Sequence, residues 1–403
     1  MARCGRGRVG PSGGNRQPLR LFDIAQRVIL SSVAMLHFSG GIMDLNELLR
    51  FAVESKASDL HLQAGSVPML RIEGQSRFIE STPLTDAQTR DFVLSILPPP
   101  VRNDADRAIL HGIDFSYQSQ NSIRFRCSAY SQFGRYGIVM RVIKASIPTF
   151  DDLLLPAVIQ EVALSQRGLT LITGTTGCGK SSTLAAMIDL INQKYRNKII
   201  TIEDPIEFVH TNKKSMISQL EVGTDTPSFE QALRQALRQD PDVILVGELR
   251  DVETLRMALR AADTGHQVFS TLHCQNAAQA IERIIAMFPH NEHDILLSQL
   301  SGSIESIISQ RLVATTAGKR RPAVEVLRGT PVAEKFIREK RLGELLTYIE
   351  SGESGMQSFD QHLLRMYNEK SISGTEALRW ASNPEALAMA FRGIRRIGGS
   401  PSN

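Results

Sequence analysis

Cysteine is scarce in this 403-residue chain, and Cys4, Cys127, Cys178 and Cys274 stand far apart with no CxxC pair. That spacing offers neither a disulfide framework nor a zinc site, so free thiols are expected. Long apolar runs are absent as well. The longest near the start, Val28 to Leu36, is about half of the roughly 20 residues that a membrane span requires. Charge of one sign is missing from the body of the chain. Residues 1–42 carry six Arg and one Asp, a charge of +5, against +4 for the whole sequence, which leaves the remainder at −1. A nucleic-acid binder should instead concentrate Lys and Arg on a folded domain to replace phosphate counterions, so no nucleic-acid partner is expected.

What is present is ordinary globular material, 42% hydrophobic and 22% charged, long enough for two domains and an appendage. Residues 1–42 read as a disordered or mis-called leader, because Met43 opens a well-patterned helix, MDLNELLRFAVESKA. The Arg-containing start followed by a short apolar stretch has the outline of a secretory signal, but Ser31 and Ser32 interrupt it. SDLHLQAG and PMLRIEGQ then alternate like strands around a Gly-containing turn. With a helix near Thr85 to Ile96 and the alternating SIRFRCSAYSQ and YGIVMRVI, they form an α+β domain over 43–143. A Pro-containing linker at 144–156 follows. From 157 to 330 apolar runs (LTLITG, KIITIED, VILVGE, HQVFSTLH) alternate with amphipathic helices, the signature of a largely parallel buried sheet. From about Ala277 the chain reads as helical, broken by a turn at Gly318 to Arg321, with a helical region at 331–395 and a tail at 396–403.

GTTGCGKS, Gly174 to Ser181, matches G-x-x-x-x-G-K-[ST] directly between an apolar strand and a helix, the context this phosphate-binding loop requires. Its glycines let successive N–H groups face the phosphates of ATP at a helix N-terminus, while Lys180 neutralises β/γ charge and Ser181 ligates Mg2+. Thr175, Thr176, Cys178 and Ser182 complete the candidate nucleotide-binding set with Gly174, Gly177 and Gly179. Cys178, beside Lys180 and a helix N-terminus, is expected to have a lowered thiol pKa.

Hydrolysis also needs carboxylates, one for metal or its waters and one to orient the attacking water. Glu248 ends the apolar strand VILVGE, with Gly247 where many phosphate-loop enzymes carry a metal-binding Asp. KIITIEDPIE supplies Glu203, Asp204 and Glu207 at another strand end, where Pro205 stops the strand at the edge at which ligands bind in such sheets. Glu203 and Glu248 are the catalytic candidates, with Glu203 also the candidate Mg2+ carboxylate. His266 and His273 stand seven residues apart around a strand of roughly 20 Å, too far to share a metal. His273, at the strand's C-terminal end, is the candidate γ-phosphate sensor or the link from the catalytic carboxylate to the sheet.

LRQDPDVILVGELRD, Leu237 to Asp251, fits the secretion-ATPase signature at every constrained position, Arg250 included. With the phosphate loop, the acidic TIEDPIEFVH (Asp box) and TGHQVFSTLH (His box), the sequence resembles the type II/IV secretion ATPase superfamily over about residues 43–395. Within it, ASDLHLQAGSVPMLRIEG, ISQRL and GMQSFDQ are similar to segments of the PilT/PilU-like retraction ATPases of type IV pili. The motif AIRNLIRE of those proteins appears as VAEKFIRE, keeping Ile337, Arg338 and Glu339. The resemblance implies a PAS-like N-terminal domain followed by a RecA-like ATPase domain with a helical C-terminal region. It also implies a homo-hexamer, cytoplasmic and peripheral at the inner membrane, that hydrolyses ATP with Mg2+ to withdraw pilin through a membrane platform protein. Action as an accessory beside a second retraction ATPase, and pilus assembly or type II secretion, stay open as alternatives. Finally, the fifteen-residue spacing of Arg126 and Arg141 matches the family's phosphate-contacting arginines, expected here to reach a neighbouring subunit's site in trans.

Overall fold

A computed structural model describes residues 44–120, 123–143 and 146–394; the expected leader at 1–42 and tail at 396–403 lie outside them. The first helix, Leu45–Glu54, is capped by Asp44, whose side chain accepts from the Asn46 N–H. It buries Leu45, Leu48, Leu49 and Ala52, the one-face spacing that the sequence pattern predicts. Strands β1 (Asp59–Gln63), β2 (Met69–Ile72) and β3 (Gln75–Phe78) pair antiparallel in succession. Together with β4 (Ile113–Gln118), β5 (Arg124–Gln132) and β6 (Arg135–Val142) they make a six-stranded sheet of order β3-β2-β1-β6-β5-β4. Among the described residues, one compact unit comprises 44–95 and 129–140 and the other 96–120, 123–128, 141–143 and 146–394, so β4 and the start of β5 cluster with the larger unit.

The larger unit is built on seven strands: β7 (Gly168–Thr173), β8 (Lys198–Glu203), β9 (Met216–Glu221), β10 (Val243–Val246), β11 (Gln267–Leu272), β12 (Ile304–Ala314) and β13 (Arg320–Arg328). Their order is β13-β12-β7-β11-β10-β8-β9, parallel throughout except for the β12–β13 hairpin. Every residue of β10 and β11 is buried, as expected of strands covered on both faces. The helices Lys180–Lys194, Phe229–Ala236, Val252–Asp263 and Ala277–Met287 follow four of the strands and supply the covering layers.

The structure corrects one expectation here. The chain does not run on as helix from Ala277: β12 and β13 form a hairpin, and Gly318 lies in its turn. Ile304, Ile307, Ile308 and Leu312 fall at helix-like spacing, but both faces of β12 are covered, so the two-residue alternation that marks a strand is lost. Its polar residues are hydrogen-bonded instead of exposed: Ser306 Oγ donates to the Leu327 carbonyl and Gln310 Nε2 to Thr183 Oγ1. The segment 331–391 is helical as read, and its last helices pack a cluster around Phe359, Leu363 and Met366.

Candidate functional site

Four adjacent strands, β7, β11, β10 and β8, end along one edge of the sheet, and the residues that follow them meet in a cavity of about 580 Å3. After β7 the loop turns tightly against β12. At Gly174 the backbone has a φ of 144°, and a Cβ there would stand 2.5 Å from both Cys178 Sγ and the Gln310 carbonyl oxygen, so only glycine fits. Lys180 Nζ donates to the carbonyls of Gly174 (2.8 Å) and Thr175 (3.1 Å), which holds its charge at the mouth of the loop. Thr176, Gly177, Gly179, Lys180, Ser181 and Ser182 line the cavity, whereas Gly174, Thr175 and Cys178 are not part of its lining. Burial pushes the Cys178 thiol up despite the Lys180 charge, which overturns the expected lowering: desolvation of a thiolate outweighs one nearby cation.

The acids arrive from two strand ends. Glu248 Oε1 lies 3.5 Å from His273 Nε2, and its Oε2 accepts from Arg250 Nε at 2.9 Å. Arg250 Nη1 also reaches Asp204 Oδ2 at 3.3 Å, joining the ends of β10 and β8. Gly247 precedes Glu248 because a Cβ there would stand 3.2 Å from the Ile202 carbonyl and 3.4 Å from Glu203 Cα, a close approach of two strands. Glu203 Oε1 accepts from Thr201 Oγ1 (2.6 Å) and Gln219 Nε2 (3.2 Å). Burial nonetheless raises its carboxyl above the usual range, so its ionised form gains from any cation placed beside it. Burial, then the Lys180 charge, lowers the pKa of His273, which keeps the ring neutral as a partner for Glu248.

Arg126 and Arg141 line the cavity of their own chain, together with Glu207. Strand β5, which carries Arg126, is joined to the end of β9 by an ion pair of Arg124 with Glu221. His266 is not brought to this cavity. It lies at the opposite end of β11, where its Nδ1 stands 2.9 Å from the Ala261 carbonyl and 3.1 Å from Thr264 Oγ1, a structural setting.

Residues 40–351 match the family model described as type II/IV secretion system protein. The chain belongs to this family. It is 44% identical over 344 residues to the type IV pilus retraction ATPase PilT of Pseudomonas aeruginosa, covering 85% of this chain and 99% of that protein. It is 42% identical to the type IV pilus ATPase PilU of the same organism, covering 87% of this chain and 92% of that one. Among solved structures, the pilus retraction motor PilT with bound ADP superposes with a TM-score of 0.79 at 40% identity, covering 85% of this chain and 98% of that one.

In this secretion-family chain the spacing motifs located every strand-end residue of the cavity, but not its walls. Phe208 and His210, inside the acidic segment but given no role there, and Phe229, outside every motif, also line it. Neither did any signal single out Glu221, a buried acid at the end of the polar edge strand β9.

Proposed function

We propose that this chain hydrolyses ATP and uses the energy to retract type IV pili. The observation that carries the reading is the convergence of Lys180, Ser181, Glu203, Glu248, His273, Arg126 and Arg141 on one cavity, in a chain that matches a pilus retraction ATPase over nearly that protein's whole length. The phosphate loop binds the nucleotide, and Lys180 places a point charge against its β/γ oxygens. The Ser181 hydroxyl with the Glu203 carboxylate makes a hard oxygen donor set suited to Mg2+, and the buried Glu203 fits a cation in particular. Mg2+, when bound, supplies charge neutralisation at the phosphates. Glu248 orients water and accepts its proton, while His273 and Arg250 fix the carboxylate's direction. Arg126 and Arg141 face the phosphates from the side opposite the loop.

The assembly we propose is a homo-hexamer at the cytoplasmic face of the inner membrane, acting on a platform protein; among the described residues no helix is long and apolar enough to cross a membrane. Coupling of turnover to movement then runs through displacement of the arginine-bearing strands. The departure of Val332 to Phe336 from the retraction motif favours a second reading, an accessory that works beside another retraction ATPase. Lys180→Ala is expected to abolish turnover, and Glu248→Gln to keep ATP binding while lowering kcat by roughly a hundredfold or more. Normal turnover in either variant counts against the site. Twitching by cells that carry this chain as their sole retraction ATPase would remove the accessory reading.

A further inference from the structure

Glu221 is almost fully buried, yet it belongs to none of the motifs of the nucleotide site. Three donors converge on its Oε2: Ser116 Oγ from β4 at 2.8 Å, Arg124 Nη2 from β5 at 2.5 Å, and the N–H of Ile206 in the acidic loop at 3.1 Å. Thr224 Oγ1 donates to the other oxygen at 3.3 Å. One carboxylate at the end of β9 thus ties together the acidic loop after Glu203 and the two strands that carry Asp114 and Arg126. Along a strand, residues two apart share a face. Arg124 and Arg126 therefore point the same way, as do Asp114 and Ser116, and Arg126 Nη2 lies 3.6 Å from Asp114 Oδ2 in the next rung. The rung at Glu221 is fixed by buried charge, with the Arg124 side chain 21% and the Glu221 side chain 3% exposed. The rung at Arg126 opens onto the nucleotide cavity. Arg124 Nε is buried with no hydrogen-bond partner among the described residues, so Glu221 is the group that compensates this guanidinium.

We infer that Glu221 is a positioning residue for hydrolysis: by clamping Arg124 and Ile206 it sets where Arg126 and the acidic loop stand relative to the phosphates. The inference rests on the proposed role of Arg126 at the nucleotide. Charge is essential to it, because a neutral acceptor of the same shape leaves Arg124 buried and uncompensated, and the arginine then withdraws toward water with its strand. A displacement near 1 Å of a charge aimed at a reacting phosphate is enough to lower turnover by about a hundredfold.

A double-mutant cycle on the purified full chain tests this, with kcat and KM for ATP measured for wild type, Glu221→Gln, Arg126→Ala and the double variant. Glu221→Gln is expected to lower kcat by about tenfold to a hundredfold. Its KM should change far less, because the phosphate loop still binds ATP. The double variant should be no slower than Arg126→Ala alone, within about twofold, since both changes remove the same contact. Arg124→Gln breaks the pair from the other side and should reproduce both the kcat loss and the non-additivity, which keeps the test available if Glu221→Gln does not fold. Losses that multiply in the double variant, or an unchanged kcat in Glu221→Gln, overturn the clamp while leaving Arg126 in place. Full activity in Arg126→Ala removes the arginine reading and the clamp with it. Failure of both clamp variants to fold makes Glu221 a stability residue and overturns the positioning role.

Discussion

At Cys178 two local effects compete, and their magnitudes decide the chemistry. A helix N-terminus and Lys180 favour the thiolate, which is what the sequence position suggests. The side chain, however, is 3% exposed and packed beneath Gly174, and burial outweighs the cation. Cys127 and Cys274 are buried too, with their thiols also pushed up by burial. The expected outcome is slow reaction of all three in native protein at neutral pH, and rapid reaction after unfolding, followed by iodoacetamide labelling and peptide mapping. Fast labelling of Cys178 that ATP prevents would show the thiol facing the nucleotide.

Among the elements, legibility followed exposure to competing signals. Strands β7, β8, β10 and β11 were readable because they are short apolar runs punctuated by the phosphate loop, Pro205, Gly247 and His273, which mark their ends. Lys180, Glu203, Glu248 and His273 were readable for the same reason, since each stands at or just past one of those ends. Strand β12 was not, because its isoleucines mimic a helix, and β9 was not, because an edge strand carrying Ser218, Gln219 and Glu221 shows little hydrophobic contrast. The Arg124–Glu221 pair, which joins β5 to β9, is a contact between residues 97 apart that no local pattern encodes. The β12–β13 hairpin carries its own titration. Thr173, Ser309 and Glu325 lie in register across β7, β12 and β13, and Glu325 Oε1 accepts from the Ala277 N–H at 2.8 Å and Ser309 Oγ at 3.3 Å. Burial pushes its carboxyl up to about 7 from 4.5, against the pull of the Ala277 N–H, Arg311 and Ser309. The folded state thus keeps a proton that the unfolded state has lost. This contribution is full below pH 4.5 and is lost as pH rises through about 7, a swing of about 3 kcal/mol. Glu325→Gln keeps the acceptor and removes the charge, so its stability should fall less between pH 5 and pH 8 than that of wild type in urea titrations. Parallel losses in the two proteins would mean that Glu325 does not titrate in this range.

Across the whole molecule, the nucleotide cavity and the C-terminal helices report on different parts of the larger unit, and acid separates them. His362 is 1% exposed, and its Nδ1 accepts from the Val324 N–H at 3.0 Å, which docks the helix Phe359–Asn368 onto β13. Burial, with Arg321 and Arg365 nearby, lowers its pKa to about 3 from 6.5. Here the sign is opposite to that of Glu325. The unfolded state takes up a proton below pH 6.5 while the folded state stays neutral, so the contribution is present above 6.5 and is lost as pH falls toward 3, amounting to about 2 kcal/mol by pH 5. Asparagine places an acceptor oxygen near the Nδ1 position and does not titrate. His362→Asn will lose some ring packing at every pH, a constant offset that drops out when each protein is compared with itself. Between pH 7 and pH 5 the variant should lose about 2 kcal/mol less stability than wild type, read from urea midpoints at both values. Because His362 belongs to the helix Phe359–Asn368, docks on β13 and does not line the cavity, ATPase activity at neutral pH should change little. Equal losses in the two proteins would place the acid-sensitive step elsewhere, with His210, whose pKa burial lowers to about 4, as the next group to replace.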